Sequence, residues 1–149
     1  MDTKVKDKVV IAYEKGYKVL PNGDVVGPSG NLLSLSLKEG YKRFHFRLDD
    51  GSHKHILVHR LLAYQKYGNE LFKNNLNVCH IDSKRDNNIL DNIIIGSSSD
   101  NRYVMNAIKR IEFNENAKST FNSYIKDIEQ TSEEYRKVLQ FIIKTYNIS

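Results

Sequence analysis

Five histidines lie along the chain, at positions 45, 53, 55, 59 and 80, and the last stands in a different setting from the rest. His80 ends the short apolar run Asn77, Val78, Cys79 and opens the polar loop HIDSKRDNNILDN. The loop leads to a second apolar run, Ile93 to Gly96, and then to SSSDN, where Ser98 or Ser99 can N-cap a helix running toward Ile111. An unperturbed imidazole titrates at about pH 6.5, so His80 can accept a proton near neutrality. Two asparagines follow at set intervals, Asn92 twelve residues after His80 and Asn101 nine after that. An asparagine hydrogen-bonds in both directions, and its carbonyl oxygen suits a hard cation such as Mg2+ or Mn2+.

These residues need elements to position them. From Gly16 to His59 the chain is punctuated by PNGD, GPSG, KEG and DDG, with runs rich in Val, Leu, Phe and Tyr between them, which predicts small antiparallel hairpins. The strongest hairpin joins YKRFHFRL to HKHILVH. A three-residue loop, Asp49 to Gly51, with Gly51 in the left-handed position of a bulge, pairs Leu48 with Ser52 and Phe44 with Ile56. Phe44, Phe46, Leu48 and Ile56 then share a core face, and Arg43, His45, Arg47, His53 and His55 share the other. A two-residue loop would mix the two sets, so alternation favours the bulged register. The expected basic face belongs to a two-stranded ribbon able to enter a DNA major groove, where arginine can reach guanine edges.

A short helix, VHRLLAYQKYG, follows with Leu61, Leu62 and Tyr64 as its apolar stripe, Gly68 as C-cap, and His59 and Arg60 on its polar flank. Two more amphipathic helices are predicted in STFNSYIKDIEQ and TSEEYRKVLQFIIKTYN, the second opened by a capping box of Thr131 and Glu134. They read as a helical pair closing the core.

The 149 residues carry a net charge of +5 with 40% hydrophobic and 28% charged residues, a globular composition that leans toward a polyanionic partner. Residues 1–60 hold 11 Lys/Arg against 7 Asp/Glu, and residues 61–149 hold 12 against 11, so the basic surface lies mainly in the N-terminal part. One cysteine excludes an intrachain disulfide framework and the zinc fingers or ribbons that need two or more thiolates. The run Val9 to Tyr13 is too short for a signal-peptide core, and no stretch approaches a membrane span. The expectation is a cytoplasmic protein of a bacterial or phage-infected cell, with no membrane partner, acting as a monomer or homodimer.

Residues 78–105, VCHIDSKRDNNILDNIIIGSSSDNRYVM, resemble the HNH nuclease motif of phage homing endonucleases, in an H-N-N variant, and VHRLLAYQKYG resembles the helix that precedes it there. The resemblance implies an α+β fold: N-terminal antiparallel β-hairpins, a central ββα-metal core, and the C-terminal helical pair. The corresponding segments are 1–68, 69–112 and 113–149. It also implies an endonuclease that hydrolyses phosphodiester bonds of double-stranded DNA with one divalent ion. His80 is then the base that activates water, Asn92 ties the loop that holds His80, and Asn101 gives its carbonyl oxygen to the metal. Arg60 and Arg102 stand near enough in sequence to bind the scissile strand.

One position departs from the family pattern. The residue before the histidine is commonly a metal-holding Asp, Asn or His, and here it is Cys79, a soft donor poorly matched to Mg2+. Three readings stand: Cys79 ligates a softer ion such as Zn2+ or Mn2+, it faces inward as a small hydrophobe, or it leaves Asp82 to contribute. Asp82, Asn87 and Asn88 otherwise read as loop-shaping residues with Asx-type hydrogen bonds. The competing functions are a catalytically inactive DNA-binding protein and an HNH nuclease of restriction or packaging rather than homing.

Overall fold

A computed structural model describes residues 7–99 and Arg102. The apolar run near the N-terminus folds as helix α1 (Lys8–Glu14), started by the Asp7 carboxylate, which accepts the Val9 amide at 2.8 Å, and it buries Val9 and Ala12. Strands β1 (Lys18–Val19) and β2 (Val25–Val26) form a small hairpin closed at PNGD, where Gly23 takes φ +91° and donates to the Leu20 carbonyl.

The KEG signal makes a tight two-residue turn. Glu39 and Gly40 both have positive φ, 53° and 82°, the conformation whose twist suits a hairpin, and they join β3 (Ser36–Lys38) to β4 (Tyr41–Arg47). Strand β5 (His53–Leu57) pairs on the other side of β4 with Phe44 opposite Ile56 and Arg47 opposite His53. Leu48 accepts and donates across the loop as the bulged register requires: its amide donates to Ser52, its carbonyl accepts from Gly51, and Gly51 has φ +83°. The sheet has three strands in the order β3-β4-β5, so the expected two-stranded ribbon is corrected. The Glu39–Gly40 turn folds β3 back onto β4 and leaves β4 central.

Alternation buries Phe44, Phe46 and Ile56 at 1% exposure each, and each such side chain contributes about 1.5 to 3 kcal/mol on leaving water. Helix α2 (Val58–Tyr67) runs on directly from β5 and ends at Gly68, φ +56°. It packs against α1, β1, β4, β5 and the later strands, so more of its circumference is buried than a surface helix would bury. This corrects the expected polar flank: Arg60 remains half-exposed, 4.0 Å from Asp7, whereas His59 is 7% exposed. The Gln65 side chain accepts the Val19 amide and donates to the Val19 carbonyl, docking α2 on the edge of β1.

After a 3-10 turn (Gly68–Phe72) come β6 (Leu76–His80) and β7 (Ile93–Ser97), an antiparallel pair in which His80 faces Ile93. Ile93 and Ile95 join the same apolar cluster as Val9, Phe44 and Leu61. Ser98, Ser99 and Arg102 are helical. Asn101, most of the helix toward Ile111 and the helical pair within 113–149, with its capping box, lie outside the described residues. The described part is a mixed α+β fold of small antiparallel sheets around few helices, and no described helix is long and apolar enough to cross a membrane.

Candidate functional site

The loop between His80 and Asn92 is built around one buried amide. Asn92 is fully buried, its Oδ1 accepts the Asp82 amide at 3.0 Å, and its Nδ2 donates to Asp82 Oδ1 at 2.8 Å and to the Asn87 carbonyl at 2.7 Å. Its backbone carbonyl also accepts the Ile81 amide. Asp82 makes an Asx turn through the Lys84 amide and accepts Asn87 Nδ2 at 2.6 Å. Asn92 therefore ties the loop, and its own hydrogen-bonding groups are spent within the protein.

Contact with His80 falls to a different residue. Asn88 is 3% exposed, and its Oδ1 lies 2.9 Å from His80 Nε2. A carbonyl oxygen only accepts, so Nε2 carries the proton and Nδ1 is left with the lone pair. The Asn88 backbone is held in turn by the first hairpin. Leu90 N donates to Pro21 O, and a Cβ at Gly23 would meet the Asn88 carbonyl oxygen at 3.0 Å, so the PNGD turn approaches this closely only because position 23 is glycine.

His80 is buried, and burial pushes its pKa below the ordinary imidazole value. The Asn88 hydrogen bond and the carboxylates of Asp82 and Asp86 pull it partly back up, while Arg85 lowers it. The imidazole is thus neutral at physiological pH, the form a base requires. Around it stand His59, with ring centroids 5.2 Å apart, and Tyr41, at 6.1 Å from His80 and 5.0 Å from His59. Arg85 caps the group, its guanidinium 5.1 Å over the Tyr41 ring and its Nη1 donating to the Glu39 carbonyl at 3.2 Å. Burial, with repulsion from His80 and Arg60, lowers the His59 pKa to about 3, so that ring is also neutral.

Of the residues singled out in the sequence, His80 and Asn92 meet at one loop. Arg43, His45, Arg47, His53 and His55 share one face of the sheet: Arg43 is half-buried and donates to Ser36 Oγ at 3.3 Å, the others are exposed, and His45 and His55 pack ring to ring at 3.9 Å. Tyr41 alternates onto this same face, which makes the basic face continuous with the surroundings of His80. Arg102 is exposed. Tyr41, His59 and Arg85 join the surroundings of His80 although no motif marks them, and Asn88 contacts His80 besides shaping the loop. The alternation of β4 carried a signal for Tyr41; His59 carried none, because its burial depends on what packs around α2.

Cys79 is 4% exposed, paired across the strands with Ile94, and its Sγ lies 3.6 Å from the Asn77 carbonyl oxygen. Both carboxylate oxygens of Asp82 are engaged by loop donors, and no group of three His, Cys, Asp or Glu among the described residues could hold a metal ion. The described donors by themselves do not make a site for a hard cation.

Residues 56–103 match the family model of HNH endonucleases, a span that holds α2, the His80 loop and both flanking strands. A solved structure of the HNH homing endonuclease I-HmuI, concerned with its DNA binding and cleavage, is similar to the chain at 27% identity with a TM-score of 0.48. The similarity covers 76% of this chain and 61% of that one, so the chain spans about three fifths of that structure's length. No curated protein matches the chain.

Proposed function

We propose that the protein is an HNH-type endonuclease that hydrolyses phosphodiester bonds in double-stranded DNA, with His80 as the general base. The observation that carries this reading is the buried His80, held through Nε2 by Asn88, within a segment matching the HNH endonuclease family. Nδ1 of His80 takes the proton from water as the hydroxide attacks phosphorus in line, and the bond from phosphorus to the strand oxygen opposite breaks, that oxygen leaving with a proton from solvent. Asn88 keeps the ring in the tautomer with a free Nδ1, and Asn92 acts as a positioning residue by holding the loop shut. Asp82 and Asp86 favour the imidazolium formed when the proton arrives. Arg43, Arg47 and Arg60, with Arg102 beyond β7, neutralise flanking phosphates, and His45, His53 and His55 extend the same face.

The cofactor proposed is one divalent ion, Mg2+ or Mn2+, with Asn101 as its oxygen donor, and Zn2+ if Cys79 ligates. When bound, such an ion neutralises charge developing at phosphorus and on the leaving oxygen. The biological role proposed is homing rather than restriction or packaging. The test is supercoiled plasmid incubated with Mg2+, Mn2+, Zn2+ or EDTA, using wild-type protein and His80→Ala. The variant is expected to lose roughly 100- to 10,000-fold in rate while keeping its DNA affinity, since it removes the base and no phosphate contact. Wild-type rates in His80→Ala overturn the assignment, and binding without cleavage in every metal favours the inactive DNA-binding reading.

A further inference from the structure

Beside the His80 group, a cleft of about 300 Å³ opens where α1 approaches the turn between β3 and β4. Its lining includes Lys8, Lys38, Arg43 and His55, with Tyr41 as the aromatic wall and Glu39 the one acidic residue. Lys8 and Lys38 are exposed, and among the described residues neither they nor Arg43 meet a carboxylate at ion-pair distance. Lys8 also sits in the first turn of α1, the helix end where a cation is least favoured. Four cationic or protonatable groups from four separate elements, α1, β3, β4 and β5, thus converge with little internal compensation. The local field is felt at His55, whose pKa is lowered by a little burial and then by His45, Arg43, Lys8 and Lys38.

We infer that this cleft is a binding site for a nucleic-acid backbone phosphate, seated one position along the strand from the phosphate attacked at His80. The inference rests on the nuclease reading and deepens it. Tyr41 belongs both to the cleft lining and to the His80 group, with its ring 6.1 Å from that of His80, so a strand passing the base places a neighbouring phosphodiester among these cations. Leu57, opposite Arg43 across the two strands, adds an apolar residue to the lining beside the cations. The contact reads no sequence, because phosphates carry no base identity; it sets the position of the strand at His80.

The experiment measures duplex affinity against salt, in EDTA, for wild type and for the double variant Lys8→Ala/Lys38→Ala, alongside plasmid cleavage by both. Both lysines are exposed, so the variant is expected to fold, and an unchanged thermal midpoint checks this. One lost phosphate contact flattens the slope of log affinity against log salt by about 0.9, a three- to four-fold smaller loss between roughly 50 and 200 mM salt. A duplex with a single neutral methylphosphonate next to the cut site should weaken wild type and weaken the double variant by less, since Arg43 and His55 remain in the cleft. Wild type that cuts plasmid, with a double variant of unchanged slope, overturns the cleft and leaves the nuclease standing. A flattened slope in a protein that never cuts supports the cleft as a phosphate site and overturns the nuclease. Wild type with no affinity for duplex overturns both.

Discussion

Replacing Asn92 with alanine removes three side-chain hydrogen bonds at a fully buried position: from the Asp82 amide at 3.0 Å, and to Asp82 Oδ1 and the Asn87 carbonyl at 2.8 and 2.7 Å. Each such bond is worth about 1 kcal/mol net, and the partners left behind are half-buried, so water replaces only part of what is lost. The expected loss is about 3 kcal/mol, which for a chain of this size lowers the thermal midpoint by roughly 6 to 12 °C. Urea unfolding at pH 7.5 with an unchanged m-value is the assay. Asn92→Asp separates hydrogen bonding from packing. It retains the acceptor for the Asp82 amide but sets a carboxylate against that of Asp82 and against the Asn87 carbonyl. The introduced carboxyl has its pKa raised in the folded state. Its deficit relative to wild type is therefore largest above that raised value and shrinks as pH falls and the group becomes a donor again. A loss below about 1 kcal/mol in Asn92→Ala, or a deficit in Asn92→Asp independent of pH, refutes the loop account.

Asn88→Ala is expected to lower kcat and to move the acid limb of the pH-rate profile to lower pH, because the hydrogen bond it removes raises the His80 pKa; an unmoved limb separates Asn88 from the base. Stability should fall with acid: the folded pKa values of His59 and His80 lie below the unfolded value of 6.5, so their contribution is complete above pH 6.5 and is lost as pH falls toward the folded values, about 3 for His59. At pH 5 the His59 share of the loss is about 2 kcal/mol, and His59→Gln should flatten a melting series between pH 7.5 and 4.5. Cys79→Ala should fold and keep Mg2+-supported cleavage, whereas Cys79→Asp, which buries a charge at a 4% exposed position, should destabilise by several kcal/mol; loss of metal affinity in a folded Cys79→Ala, read by calorimetry, would instead assign the thiol to the ion. Asn101→Ala should lose metal affinity without the stability loss of Asn92→Ala, and unchanged metal binding contradicts its role as ligand.

What the sequence determined alone is local. The alternation of Phe44, Phe46 and Ile56 against Arg43, His45 and His55, together with a glycine free to take φ +83° at position 51, admits one register, because a slip of one residue turns every apolar side chain outward. Gly68 likewise ends α2 wherever that helix is placed, and the spacing of His80 and Asn92 puts them at the two ends of one loop whatever surrounds it. The tertiary structure decided the rest. His59 is a polar-flank residue by helical periodicity, and it becomes a neutral, buried neighbour of His80 only because sheet, strands and α1 close around α2 from several sides at once. Asn88 reads as one more loop asparagine until the PNGD turn, some sixty residues earlier in the chain, packs its glycine on the Asn88 carbonyl while the Asn88 side chain meets His80. The cationic cleft draws Lys8, Lys38, Arg43 and His55 from α1 and the sheet. Periodicity reports which way a side chain leaves its own element, and these groupings depend on which elements meet, a relation between distant segments that no local pattern encodes.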